Sequence, residues 1–244
     1  MDLFIYVETK MERKSRKTFM TKTLNQTRGE IFKNSFIAAL GLFCFGVGVY
    51  ISIQANIGVA PWDAFYLGVS NTFGFKYGNI SVATSFIILA MDLLLGERIG
   101  IGSIFDAIIV GKTVDLLNYI DPLPKQDSFA MGLVYMVVAL FIMGFSQYLY
   151  MTASLCCGPR DSMLVAFGKR LKQIPIGAVS VMIMLVVLFL GWKLGGPIGV
   201  GTIIATLGTG PSMQFAFNTM KFDPLEVKHQ DVIASFKVLI KGKL

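Results

Sequence analysis

Apolar residues fall in eight runs along this chain, at 34–55, 61–75, 78–95, 102–119, 129–151, 160–171, 176–192 and 200–219. Short polar or Gly/Pro-marked breaks separate them. Runs of this length without strict alternation read as helices, and those near ~20 residues read as membrane spans. The first and fifth are long enough to cross a bilayer alone. The run at 61–75 makes a helix of only about 22 Å, short for a hydrocarbon core of about 30 Å. The run at 160–171 is shorter still. Each is either a short tilted span or a re-entrant half-helix. The pattern predicts an all-α, polytopic transmembrane helical bundle of eight helical segments, two of them short.

Composition agrees. Of 244 residues, 54% are hydrophobic and 15% charged, against about 25% charged in soluble domains. Mean hydropathy is +0.65. The net charge of +7 does not point to nucleic acid, because its placement is terminal: eight of the 22 Lys and Arg lie in the first 33 residues and five lie after residue 220. Basic flanks on apolar spans mark the cytoplasmic side and anionic lipid head groups. Residues 1–33 lack an apolar stretch followed by a cleavage site, so they read as a basic cytoplasmic extension. In the tail, Val232, Ile233, Phe236, Leu239 and Ile240 recur at helical spacing among lysines, starting near Pro224. That is an amphipathic helix for the inner leaflet. Cys44, Cys156 and Cys157 form no metal or disulfide framework, and the single histidine, His229, lies in the polar tail.

The two halves share motifs. Ile57-Gly58-Val59-Ala60-Pro61-Trp62-Asp63 corresponds to Cys156-Cys157-Gly158-Pro159-Arg160-Asp161, with Pro61 and Pro159 98 residues apart. Arg98-Ile99-Gly100-Ile101-Gly102-Ser103 corresponds to Pro197-Ile198-Gly199-Val200-Gly201-Thr202 at a spacing of 99, which Gly111 and Gly210 keep. Two motifs in one order at nearly one offset predict a duplicated unit, as in transporter folds. The expected division is an extension at 1–33, a first transmembrane repeat at 34–128, a second at 129–220, and a tail at 221–244. If every segment crosses, only Arg98 and Lys193 lie outside. If the short segments re-enter, Lys76, Lys125 and Lys193 lie outside, the repeats are inverted and Arg98 moves inside. The positive-inside rule favours eight crossings by one charge and puts both termini in the cytoplasm either way.

Candidate chemistry sits at the short segments. Pro61 and Pro159 suit a first helical turn, and Asp63 and Asp161 then complement the positive helix end. Paired helix starts near a pseudo-twofold axis also form binding sites in transporters. The candidate substrate-binding set is Pro61, Trp62, Asp63, Gly158, Pro159, Arg160, Asp161, Gly199 and Gly201. Arg160 stands where the first half has Trp62, and it either pairs with Asp63 or an anionic substrate or snorkels to head groups. Asp106, Lys112 and Asp115 are a candidate intramembrane polar relay, with a structural ion pair as the simpler reading. Ser103 and Thr202 read as N-caps, and Gly208-Thr209-Gly210-Pro211 as a kink or break in the last helix. Gln54, Asn56 and Gln147 are placed for interhelical hydrogen bonds or a wet mouth.

On Gly58-Val59-Ala60-Pro61-Trp62-Asp63, Cys157-Gly158-Pro159-Arg160-Asp161 and Gly196-Pro197-Ile198-Gly199-Val200-Gly201-Thr202, the chain resembles the YczE/YyaS/YitT family of bacterial membrane proteins over about residues 34–240. That family usually has Gly-Pro where Cys156-Cys157 stand. The resemblance implies a multi-pass protein of the bacterial plasma membrane and says little about activity. Without HExxH, GxSxG or a nucleotide loop, an enzyme is not expected, and no cofactor or metal is called for. The expected function is a small-molecule transporter or exporter with a site at the repeat interface. The competing expectation is a membrane-embedded interaction or regulatory protein serving a cytoplasmic or secretory partner. Expected partners are the lipid bilayer, anionic head groups at the basic tails, an unidentified small-molecule substrate and a second copy in a homo-oligomer; nucleic acid is not one.

Overall fold

The computed structural model describes residues 28–97, 100–153, 158–171, 173–174 and 176–222. The readings of the extension before residue 28, of Arg98, of Cys156-Cys157 and of the amphipathic tail with His229 lie outside the described residues. Eight α-helices make up the described fold, and no strand occurs among those residues. They are α1 (Arg28–Gln54), α2 (Pro61–Phe73), α3 (Tyr77–Leu94), α4 (Ile101–Ile120), α5 (Phe129–Thr152), α6 (Pro159–Arg170), α7 (Ile176–Lys193) and α8 (Val200–Thr219).

Phe32–Gln54, Tyr77–Leu94 and Phe129–Thr152 are long and apolar enough to cross a membrane, and Gly177–Lys193 is a shorter apolar helix. Large apolar side chains cover the outside: Leu94 is 88% exposed, and Ile87, Phe36, Leu207 and Phe189 also point outward. A water-soluble fold would bury such residues, whereas lipid solvates them. Between helices in lipid the driving force is close packing, and small residues permit it. A Cβ at Gly41 would meet the Tyr150 backbone nitrogen at 2.8 Å, and one at Gly48 would meet Met143 at 2.6 Å. These contacts run α1 antiparallel to α5. The core between α1, α2, α3, α4, α5 and α8 is built from Leu42, Val49, Tyr66, Tyr77, Val110, Met136, Met143 and Ala205.

The bundle has a proximal end, where α1 begins, and a distal end, where it finishes. At the distal end the Tyr50 hydroxyl lies against Asp121 and Leu123, just past the end of α4, and Gln126 donates to the Gln54 carbonyl at 2.9 Å. Gly78, at the start of α3, packs on Gly111 and Asp115 in the same distal half of α4. So α1 ends and α3 starts at one end, and α2 between them does not cross. Its last residues stay there too: the Thr72 hydroxyl donates to the Leu194 carbonyl beyond the end of α7 at 2.9 Å. The mirror case holds at the proximal end. The last turns of α5 pack against the first half of α1, and Lys169 and Arg170 of α6 bond Glu97 and Leu95 beyond the end of α3.

The helix directions follow the re-entrant alternative of the sequence reading rather than the eight-segment crossing that the charge tally favoured. Six helices run end to end, and α2 and α6 fold back to the end they came from. The physical reason is length: α2 has 13 residues and α6 has 12, too few at 1.5 Å per residue to match a 30 Å core. The margin of one charge could not outweigh that.

Contacts repeat across the chain. α1 packs on α4 as α5 packs on α8, and α2 packs on α7 as α3 packs on α6. One pair breaks the pattern: α3 lies along α4, but α7 and α8 barely touch.

Candidate functional site

The starts of α2 and α6 meet at a cavity of about 230 Å³ in the middle of the bundle. Pro61, Trp62 and Asp63 line it from one side, and Gly158, Arg160 and Asp161 from the other. Ser81 and Ser85 of α3, Asp106 and Val110 of α4, Gln147 of α5, Ser180 of α7, and Thr206 and Thr209 of α8 complete its polar and mid-helix walls. Phe45, Met143, Met163, Leu164, Ile183 and Met184 supply apolar surface.

Local sequence explains how the half-helices start. Proline at the first position of α2 and of α6 lacks an N–H that would go unpaired anyway. Before α2, Gly58 adopts φ +107°, and the turn is held against α8: Gly201 donates to the Ile57 carbonyl at 2.7 Å, and Val59 to the Pro197 carbonyl at 3.3 Å. A side chain at Gly199 would strike the Ile57 carbonyl oxygen. Gly199 and Gly201 therefore pack the α1–α2 turn onto α8. They do not line the cavity, as the sequence reading expected them to.

Asp63 and Asp161 stand in the first turns, yet neither helix has a side-chain cap hydrogen bond. Asp63 is 5% exposed and accepts a hydrogen bond of 2.8 Å from the Tyr77 hydroxyl. Asp161 is exposed where it lines the cavity. Asp106 comes close to the start of α6, where a Cβ on Gly158 would meet its Oδ2 at 2.7 Å. Glycine at that N-cap is what lets the carboxylate approach the positive helix end.

Arg160 does not snorkel. Its guanidinium carbon lies 5.2 Å from the Trp62 ring centroid and 5.3 Å from that of Tyr66, across the interface between the two half-helices. The direct ion pair with Asp63 expected from sequence is not formed, and Arg160 makes no ion pair among the described residues. The Tyr77 hydroxyl occupies Asp63 instead. Arg160 still acts electrostatically on Asp63, Asp106 and Asp161. Three carboxylates thus surround one stacked guanidinium.

The candidate relay is not brought together. Nine residues separate Asp106 from Asp115, which is two and a half turns at ~3.6 residues per turn and puts them on opposite faces of α4. Asp106 faces the cavity. Asp115 accepts from the Gly78 N–H at 2.7 Å, capping α3 from across the interface, and pairs with Lys112 at 3.9 Å. Lys112 also donates to Asn79 at 2.6 Å.

Ser103 and Thr202 are not N-caps; Gly100 and Gly199 hold those positions, and the Thr202 hydroxyl accepts from the Gly199 N–H at 3.2 Å from the third helical position. Nor is α8 broken, since it runs uninterrupted through Pro211. Thr206, Thr209 and Ser212 bond the backbone carbonyls of their own helix around it, the usual accommodation of proline in membrane helices. Asn56 donates to the Gln126 carbonyl and Gln54 to the Tyr50 hydroxyl, both at the distal end. Sequence reasoning missed Tyr66, Tyr77 and the serines. Tyr66 stands one turn after Trp62, a spacing that pairs side chains on one face. Ser81 and Ser180 lie 99 residues apart, the offset already set by the Gly-x-Gly motifs.

Fold and site together define a multi-pass α-helical membrane protein with a polar cavity in its centre. By sequence the chain belongs to a family of unknown function, DUF6198, whose model matches residues 32–218. It is 29% identical over 182 residues to the uncharacterized membrane protein YczE of Bacillus subtilis, covering 74% of this chain and 83% of that protein. It is 25% identical over 187 residues to an uncharacterized protein of Haemophilus influenzae, covering 77% and 84%. A third relative, the uncharacterized protein YyaS of Bacillus subtilis, is 27% identical over 169 residues, covering 68% and 83%. No solved structure matches the chain.

Proposed function

We propose that this protein is a carrier that moves a small molecule across the plasma membrane and performs no chemistry on it. The observation behind this reading is the cavity at the meeting of two half-helix starts, with Arg160, Asp106 and Asp161 facing it and no ion pair formed by any of them among the described residues. Charge held inside a membrane bundle is costly and marks solute or ion paths. Half-helices starting at a central site are a carrier feature.

The reading includes two inverted copies of one four-helix unit, α1–α4 and α5–α8. The shared motifs, the antiparallel α1 and α5 and the mirrored helix contacts support that. It also places the proximal end in the cytoplasm. Lys33, Lys169, Arg170 and Lys221 lie at that end, against Lys76, Lys125 and Lys193 at the distal end.

The test is a thermal-shift screen of small solutes on the purified protein, with Asp63→Asn and Asp161→Asn as controls. A solute that stabilises the wild type and loses its effect in both variants supports the carrier. A protein that binds no solute but co-purifies with a stoichiometric partner supports the interaction-protein alternative instead.

A further inference from the structure

The two halves differ at one seam, and the glycines on either side show how. In the first half, Gly78 of α3 is buried against Gly111 of α4. A Cβ on Gly78 would collide with the Gly111 carbonyl oxygen and the Asp115 carboxylate. This seam is shut at the distal end. The positions 99 residues on are Gly177 of α7 and Gly210 of α8, again both glycine. Both are exposed, and among the described residues a Cβ on either would meet nothing within 4 Å. The second seam carries the same pair of small residues and leaves it unused.

The cavity follows the same asymmetry. Ser81, Ser85 and Val110 line it from the shut seam and are buried. Ser180, Met184 and Thr209, each 99 residues further on, line it from the parted seam and are partly exposed. The opening lies between the first half of α7 and the second half of α8, which is the proximal end.

We infer that the Gly78–Gly111 and Gly177–Gly210 seams are the two gates of the cavity, shut in alternation, and that this structure is the state open at the proximal end. In the other state Gly177 meets Gly210 and Gly78 parts from Gly111. Packed helix interfaces have a few discrete arrangements and switch between them, and a duplicated unit has the second arrangement written in its other copy. The glycines fit this role: a pair that never met would have no packing reason to be glycine, which weakens a helix by ~1 kcal/mol relative to alanine.

The inference rests on the carrier reading, but its test needs no solute. Cys44, Cys156 and Cys157 are first replaced by alanine. Gly177→Cys with Gly210→Cys, in proteoliposomes treated with copper–phenanthroline, is expected to lose two hydrogens by intact mass as the thiols join. A disulfide requires Cα atoms within about 7 Å, so the bond forms only if the seam shuts. Thiols that each react with maleimide but never join overturn the inference.

Single-cysteine reporters give a second reading. Ser180→Cys should react with an impermeant maleimide on the order of tenfold faster than Ser81→Cys, and Gly78→Ala should reverse the order by forcing the distal seam apart. Because Gly78→Ala can misfold, Gly177→Leu with Gly210→Leu is the companion variant. These side chains enter open space, so the protein stays folded, and Ser180→Cys stays fast. Equal rates at Ser81→Cys and Ser180→Cys in the cysteine-free background with no further substitution, or Gly177→Leu with Gly210→Leu slowing Ser180→Cys, overturn the gates. Joined thiols in a protein that fails the solute screen remove the carrier and keep the gates. Solute binding with thiols that never join does the reverse.

Discussion

At the scale of single residues, the site is held by partners rather than by charge pairing. Tyr77→Phe removes the hydrogen bond to Asp63 and leaves a buried carboxylate with one donor fewer. Thermal unfolding in detergent should show a loss of about 1–3 kcal/mol. Arg160→Lys keeps the charge but gives up the planar face that lies on Trp62 and Tyr66, and the substitution is not conservative at a stacked site. Tryptophan emission should report it, because Trp62 lies under Arg160 while the only other tryptophan, Trp192, is exposed. A shift in the emission maximum in Arg160→Lys is expected, and an unchanged spectrum would contradict the stack. Gly158→Ala should displace Asp106 from the start of α6, so any solute identified in the screen should bind more weakly without loss of fold.

At the scale of elements, α3 depends on a group outside itself. Its first turn has no side-chain cap of its own, and Asp115 of α4 receives the Gly78 N–H. Asp115→Ala should cost about 0.5–2 kcal/mol, as loss of a cap does, whereas Lys112→Ala should cost less than ~1 kcal/mol because its ammonium is half exposed. Unfolding midpoints of the two variants decide between this and a relay in which both matter alike. The helices themselves were legible in the apolar runs, since each run of the sequence corresponds to one helix of the fold. What the runs could not supply was the partner of each polar residue. Asp115 and Asp106 share one helix and read alike in sequence, yet opposite faces send one to a helix start and the other to the cavity. Tyr77 reaches Asp63 only because α2 folds back beside α3, a contact across 14 residues that no local pattern announces.

At the scale of the whole molecule, the deciding question is how many times the chain crosses, and the sequence answered it only through lengths. Charge placement was nearly neutral between six crossings and eight, because one basic residue changes sides for each loop that moves. The fold supplies what the tally lacked: α1 ends and α3 begins at the same end of α4. The two topologies part most sharply at Lys76, which follows α2. With six crossings Lys76 lies on the same side as Lys125 and Lys193 and opposite Lys169; with eight it joins Lys125 and Lys169 on one side, opposite Lys193. Cysteines placed singly at these four positions in the cysteine-free protein, and probed in intact cells with an impermeant thiol reagent, separate the two. Labelling of Lys76→Cys, Lys125→Cys and Lys193→Cys from outside, with Lys169→Cys protected until the membrane is opened, is expected. Protection of Lys76→Cys beside labelling of Lys193→Cys would restore eight crossings. It would also make the two units parallel, and the alternating seams would lose the inverted relation from which they are derived.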